Sequence, residues 1–190
     1  MDEDIPVIQR LQEGDEGALI ELMARHKAGV YRLAYRFTGN ATDAADLAEE
    51  TFVRVYFNAR KYKPKAKVKS WIFTIAANLS RDFLRRSKKR RGDVSMHAPL
   101  GDHEGAGDLE STLADSDPDP GARAGSTESL RELNAVIAEM PYKLRFPFVF
   151  CNLEDHPYSE CAEVLGVSVK TVETRIYRAR KYLQRVLGGK

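Results

Sequence analysis

Residues 158–183 read YSECAEVLGVSVKTVETRIYRARKYL, and their pattern decides the fold of the C-terminal part of the chain. Ala162 and Leu165 sit three apart on the inner side of a short helix. Gly166 offers the positive φ that a sharp inter-helix turn needs, and Ser168 is placed to cap the next helix. The spacing predicts one helix over Tyr158–Leu165 and a second from Val169 to about Leu187. Val172, Ile176, Ala179 and Leu183 recur at the helical period and form the buried stripe of the second helix. Lys170, Thr171, Glu173, Thr174, Tyr177, Arg178 and Lys181 then face outward, in a helix rich in cations that also include Arg175 and Arg180. This is a helix-turn-helix arrangement. Residues near the start of its second helix reach base edges in a major groove, and flanking Arg and Lys meet phosphates. The plainer alternative is an ordinary basic surface helix.

Immediately upstream, Leu130, Leu133, Val136, Ile137 and Met140 carry a helical stripe ending at Pro141. Phe146, Phe148, Val149, Phe150 and Leu153 make a dense apolar stretch, read as a helix despite Pro147. Residues 129–190 thus form one small helical domain. Before it, residues 92–128 turn to Gly, Asp, Ser, Pro and Ala with few large apolar side chains, which cannot offset the entropy of ordering and read as a flexible acidic linker. A flexible coil of that length would hold its ends roughly 30–37 Å apart, letting the two ordered parts occupy separate sites on a large partner.

The N-terminal stretch, 1–91, shows four amphipathic segments and no period-two alternation. Ile5, Ile8 and Leu11 mark a short first helix, broken at Gly14-Asp15. Leu19, Leu22, Met23, Val30, Leu33 and Phe37 mark a long second one, stopped by Gly39. Thr42 is taken as cap of a third helix carrying Leu47, Phe52 and Val55, which fails by Lys63-Pro64. Ser70 is taken as cap of a fourth, with Trp71, Ile72, Ile75, Ala76, Leu79 and Phe83 inward. The fold class is therefore all-α, in two small helical domains.

The formal net charge of +2 conceals its distribution. Residues 1–58 carry −5, 59–91 carry +12, 92–128 carry −8 and 129–190 carry +3. The second block crowds Arg60, Lys61, Lys63, Lys65, Lys67 and Lys69 beside Phe57, Tyr62 and Trp71, then continues along the next helix through Arg81 and Arg85. Cations track a phosphate backbone and aromatic rings stack on unpaired bases, a combination suited to single-stranded or opening DNA. The simpler readings are a solvated lysine face and core aromatics, and for Trp71 core packing is the larger part of its role. Asp43, Asp46 and Glu50, spaced three and four apart with Glu49 adjacent, line one face of the third helix, as either a docking site for a basic partner or a solubilising face.

No apolar run approaches the roughly 18 residues of a membrane span and the first residues lack a secretory pattern, so a cytoplasmic protein without membrane insertion is expected. Cys151 and Cys161 lack metal spacing and fit a reducing compartment. No nucleophile, acid–base or phosphate-loop motif is present, so neither enzyme activity nor a cofactor is expected.

Three motifs in order resemble the bacterial RNA polymerase sigma factors, specifically the small extracytoplasmic-function group. DAADLAEETFVRVY (43–56) is similar to D-A-x-D-L-x-Q-E-x-F, SWIFTIAANLSRDFLRR (70–86) to W-L-x-x-I-A-x-N-x-x-x-D-x-x-R, and 158–183 to Y-x-E-I-A-x-x-L-G-x-S-x-x-T-V-x-S-R-x-x-R-A-R. The resemblance implies core RNA polymerase and promoter DNA as partners, and an anti-sigma factor as a further one. It implies docking of Asp43, Asp46, Glu49 and Glu50 on the beta-prime clamp helices, and contact of the C-terminal domain with the beta flap. It places the loop Phe57–Lys69, with Trp71, Asn78, Arg81 and Arg85, on the non-template strand of the −10 element. It places Lys170, Thr171, Glu173, Thr174, Tyr177, Arg178 and Lys181 at the −35 element, with Arg175 and Arg180 in phosphate contact or packing. The chain departs from the pattern at Glu49, where Gln is usual, at Asp155-His156-Pro157, at Cys161 and at Glu173, which bears on the −35 sequence read. A stand-alone helix-turn-helix regulator, with no polymerase docking, is the alternative function.

Overall fold

Proline, glycine and Asx side chains punctuate the helices of the N-terminal half in the computed structural model, which describes residues 2–94 and 132–188. Pro6 lies in the first turn of α1 (Ile5–Glu13), where its missing N–H costs nothing, and Val7, Ile8 and Leu11 form its buried side. Gly14, at φ 100°, ends α1, and the Asp15 carboxylate accepts from the Gly17 amide at 2.9 Å to start α2 (Glu16–Thr38). Gly39, at φ 67°, closes α2. Asn40, two residues before the expected Thr42, caps α3 (Ala41–Asn58) by accepting from the Asp43 amide at 3.0 Å. A single 3-10 turn, Ala59–Lys61, leads into the lysine loop.

The fourth helix, α4 (Val68–Val94), starts two residues ahead of Ser70, which is therefore not its cap. Ser70 is buried, and its hydroxyl donates to Glu163 of the other half at 2.8 Å. The N-terminal amide of α4, on Val68, is satisfied instead by the Asp2 carboxylate at 2.7 Å.

In the C-terminal half a helix over residues 132–139 (α5) precedes α6 (Tyr142–Phe148). Pro147 supplies no amide to α6, and directly after it the register widens to a π-turn over Val149–Leu153, with the Glu154 amide bonded to the Val149 carbonyl at 3.0 Å. Then come α7 (Tyr158–Leu165) and α8 (Val169–Leu187). Gly166 takes φ 62° and the Ser168 hydroxyl accepts from the Thr171 amide, as the sequence predicts for this turn. No strand occurs among the described residues. The acidic linker read over 92–128 lies, from residue 95 onward, outside them.

The halves pack on one another. Buried residues of both halves form one hydrophobic cluster whose spine is a run of rings, while Ala34, Ala44, Leu47 and Leu79 make a smaller cluster within the N-terminal half. Phe37 of α2 stacks on Phe146 at 5.8 Å between centroids, Phe146 on Phe150 at 5.4 Å, and Phe150 meets Phe73 of α4 edge-on at 5.4 Å. All four are at most 3% exposed, and burying each is worth about 1.5–3 kcal/mol relative to exposure. Polar groups border this seam. Glu154 lies between Arg32 at 3.1 Å and Arg36 at 3.0 Å. Arg145, 5% exposed, donates to the Arg36 carbonyl at 2.6 Å and rests 4.9 Å from the Phe37 ring centroid, so it supplies a donor to the last turn of α2, where carbonyls lack helical partners. Burial lowers its guanidinium pKa to about 10, which leaves it charged at neutral pH.

Candidate nucleic-acid interface

The lysine loop and α4 build the first surface. Arg60, Lys61, Lys63, Lys65 and Lys67 are all exposed around it. Tyr62 is not: it is 8% exposed, its hydroxyl donates to the Ala66 carbonyl at 2.6 Å, and its ring sits 5.1 Å from Trp71. The stacking platform expected of Tyr62 is therefore spent on holding the loop, and burial with the nearby Asp2 and Asp4 charges raises its phenol pKa. Trp71 is half-buried. It lines a half-open hollow of about 280 Å³ together with Arg54, Asn58, Lys61, Ile75 and Asn78. Asn78 is exposed and its Oδ1 accepts from Arg81 at 3.0 Å, which leaves the two amide N–H groups to donate to a ligand. Arg85 is exposed beside Asp82 at 3.5 Å. The sequence pattern did not single out Arg54, had Asn58 only as part of the loop, and read Ile75 only as core. They belong to two helices that converge on the hollow, a tertiary relation without a local signature.

Lys69 stands apart from the other loop cations. Its Nζ lies 3.1 Å from Glu160 and 3.4 Å from His156 Nδ1, both in the C-terminal half. Burial pushes the Glu160 carboxyl up, but its hydrogen bonds to His156 and Lys69 and their charges outweigh this and hold it below the ordinary value. Thr74, one turn on from Ser70, donates to the Val164 carbonyl at 3.2 Å. In this arrangement α7 thus covers the Lys69–Ser70–Thr74 side of α4, while the Trp71–Asn78 side stays open.

The second surface is α8. Lys170, Glu173, Thr174, Tyr177, Arg178 and Lys181 are exposed together on one face, with Thr171 and Arg175 half-buried at its edge. Tyr177 is 62% exposed with Lys181 Nζ 5.9 Å above its ring. Val172, Ile176 and Ala179 are buried opposite. The packing of the two halves leaves this face free.

The third surface is α3. Asp43, Asp46, Glu49 and Glu50 are all exposed, Glu50 paired with Arg54 at 2.7 Å and Glu49 with Lys27 at 3.8 Å. Beside them runs an apolar groove between α2 and α3, lined by Leu19, Ile20, Met23, Val53, Tyr56 and Phe57 and rimmed by Glu16 and Glu49. Ile20 and Phe57 are 70% and 72% exposed, so this face offers apolar as well as acidic contact. Phe57, expected at the −10 strand, lies here, edge-on to Tyr56 at 5.4 Å, and not at the hollow. Ile20 and Val53 were missed in the sequence; the available signal was that each is a large apolar residue off its helix's buried stripe.

Cys151 and Cys161 are free and buried, and their thiols share a hydrogen bond that lowers the pKa of Cys151 and raises that of Cys161. Among the described residues no group of His, Cys, Asp and Glu is arranged to hold a metal, and no helix is long and apolar enough to cross a membrane.

Comparison with known proteins agrees with this layout. The family model for Sigma-70 region 2 matches residues 22–90, and that for Sigma-70, region 4 matches residues 130–183. The chain is 31% identical to the ECF RNA polymerase sigma factor SigW of Bacillus subtilis (strain 168), over 95% of its own length and 94% of that protein's. It is 34% identical to the ECF RNA polymerase sigma factor SigE of Mycolicibacterium smegmatis over 90% of its length, spanning 63% of that longer chain. The solved structure of CnrH in complex with the cytosolic domain of CnrY superposes with a TM-score of 0.67 at 22% identity, covering 100% of this chain and 99% of that one, which shows a shared fold. With region 2 and region 4 both present in order, and near full-length identity of 31% to such a factor, the chain belongs to the ECF RNA polymerase sigma factors, which direct promoter-specific transcription.

Proposed function

We propose that this sigma factor divides promoter recognition between its halves, α8 reading the −35 duplex and the Trp71–Asn78 hollow receiving an extruded base of the −10 non-template strand. The observation that carries the reading is the hollow itself: an indole, two carboxamides and two cations line a space open to solvent beside a loop of exposed lysines. An unpaired base stacked on an aromatic ring gains about 1–3 kcal/mol, comparable to the few kcal/mol that unstacking costs. Contacts made only with the opened strand shift the melting equilibrium by that difference. The factor forms no covalent bond itself and works in the cytoplasm on core polymerase.

Polymerase docking falls to α3. Its acidic residues and the apolar α2–α3 groove suit a partner helix with basic flanks and an apolar stripe, which is the chemistry proposed for the beta-prime clamp helices, with the beta flap meeting the C-terminal half. Lys69 joins the strand when the halves part and its bonds to Glu160 and His156 are released. The similar CnrH fold was solved with the cytosolic domain of CnrY, and an anti-sigma factor is proposed as this chain's regulator in the same sense. A stand-alone helix-turn-helix regulator is not favoured, because region 2 accompanies region 4.

Run-off transcription with purified core polymerase on a promoter library tests the reading. Selective transcripts are expected only when the factor is added. A library transcribed no differently from core polymerase alone overturns it.

A further inference from the structure

The loop between α3 and α4 is tied down at both ends by residues that precede α2. Gln12, near the end of α1, donates through Nε2 to the Ala59 carbonyl at 2.9 Å and the Tyr62 carbonyl at 3.2 Å. At the other end Asp2 accepts from the Val68 amide at 2.7 Å, placing a carboxylate on the positive terminus of α4. The anchor is itself held: the Asp4 amide donates to Asp2 at 3.1 Å, and the buried Asp4 carboxylate meets Arg25 and His26 of α2, each at 2.7 Å. Between the two ties lie the exposed cations Lys61, Lys63, Lys65 and Lys67, and Trp71 stands in the first turn of the helix that the Asp2 tie starts. The region 2 match begins at residue 22, so both ties come from residues outside it.

We propose that residues 2–12 are a positioning element for strand capture, in which Gln12 and Asp2 fix the lysine loop and the mouth of the Trp71 hollow before a base arrives. This rests on the strand-capture reading of that hollow. Ordering a flexible loop at the moment of binding costs entropy, and a loop whose backbone is held in advance avoids part of that cost. The expected loss on cutting a tie is on the order of tenfold in the opening step, about 1.4 kcal/mol.

The test uses the full chain with core polymerase and a duplex selected from a random-sequence library by the wild-type holoenzyme. Gln12→Met keeps the length of the side chain and removes the donor, Asp2→Ala removes the acceptor, and Asp2→Asn retains one. Gln12→Met and Asp2→Ala are expected to cut permanganate-detected strand opening about tenfold at saturating duplex, a loss of about 1.4 kcal/mol. Asp2→Asn should restore most of it, with affinities for polymerase and for closed duplex unchanged. In the free protein, emission of Trp71, the only tryptophan, should become more accessible to quencher in the two disrupted variants. Opening within twofold of wild type overturns the proposal, and so does a parallel fall in polymerase affinity, duplex affinity and opening, which marks a purely structural role. A wild-type holoenzyme that binds its duplex and opens nothing fails the strand-capture reading and carries this inference down with it.

Discussion

Asn78 and Arg145 illustrate two kinds of polar residue in this chain. Asn78 is exposed, so its loss leaves the fold within about 0.5 kcal/mol of wild type. Asn78→Ala should nevertheless reduce promoter opening several-fold while leaving duplex binding intact, as read by permanganate reactivity beside a duplex-binding titration. Arg145 is buried and serves two carbonyls, those of Arg36 and Ala138. Arg145→Met leaves both without that donor and should destabilise the chain by about 1–3 kcal/mol in urea unfolding. At this scale the sequence is legible where the constraint is local. Gly166 needs only its own φ, and Ser168 only the amide three residues on. The partners of Tyr62 and Lys69 were illegible for the opposite reason: they are the loop carbonyl of Ala66 and, 91 residues away, Glu160. Charge pattern identifies a cation but not whether a carboxylate elsewhere in the fold has already paired with it.

Among the elements, α8 is the most fully readable, because its buried stripe, cap and outward cations all follow one period. Arg178 and Lys181 are exposed, so replacing both by Ala should leave the thermal midpoint unchanged. If both meet phosphates, the log–log salt dependence of duplex binding should shallow by about 2. The start of α4 was less readable: Val68 opens the helix because Asp2, distant in sequence, satisfies its amide, whereas the local cue pointed to Ser70. The contact between α4 and α7 also carries a pH dependence. Glu160 is held below the ordinary glutamate value in the folded chain, so its support is fully present above about pH 4.3 and is lost as pH falls through the lower folded value. The stability difference between wild type and Glu160→Gln should therefore narrow on acidification from about pH 5 to pH 3, followed by chemical denaturation at each pH.

For the whole molecule, the sequence announces two helical halves but not their joint core. Each apolar stripe shows that a face is buried without showing against what, and Phe37, Phe73, Phe146 and Phe150 complete one another only in three dimensions. The polar seam around Glu154 offers a way to disturb that packing from its edge. Glu154→Lys sets a third cation against Arg32 and Arg36, and should raise the radius of gyration of the free chain measured by small-angle scattering. An unchanged radius would mean that the aromatic core alone holds the halves together.

The division of labour between the halves is tested most directly by photo-cross-linking in the promoter-bound holoenzyme, with the cross-linker placed in turn at position 78 on α4 and position 178 on α8. The account predicts that position 78 marks unpaired non-template strand at the −10 element, only after opening. Position 178 should mark intact duplex at the −35 element, before and after opening. Both positions marking the same duplex segment, or position 78 marking DNA that has not melted, would contradict it.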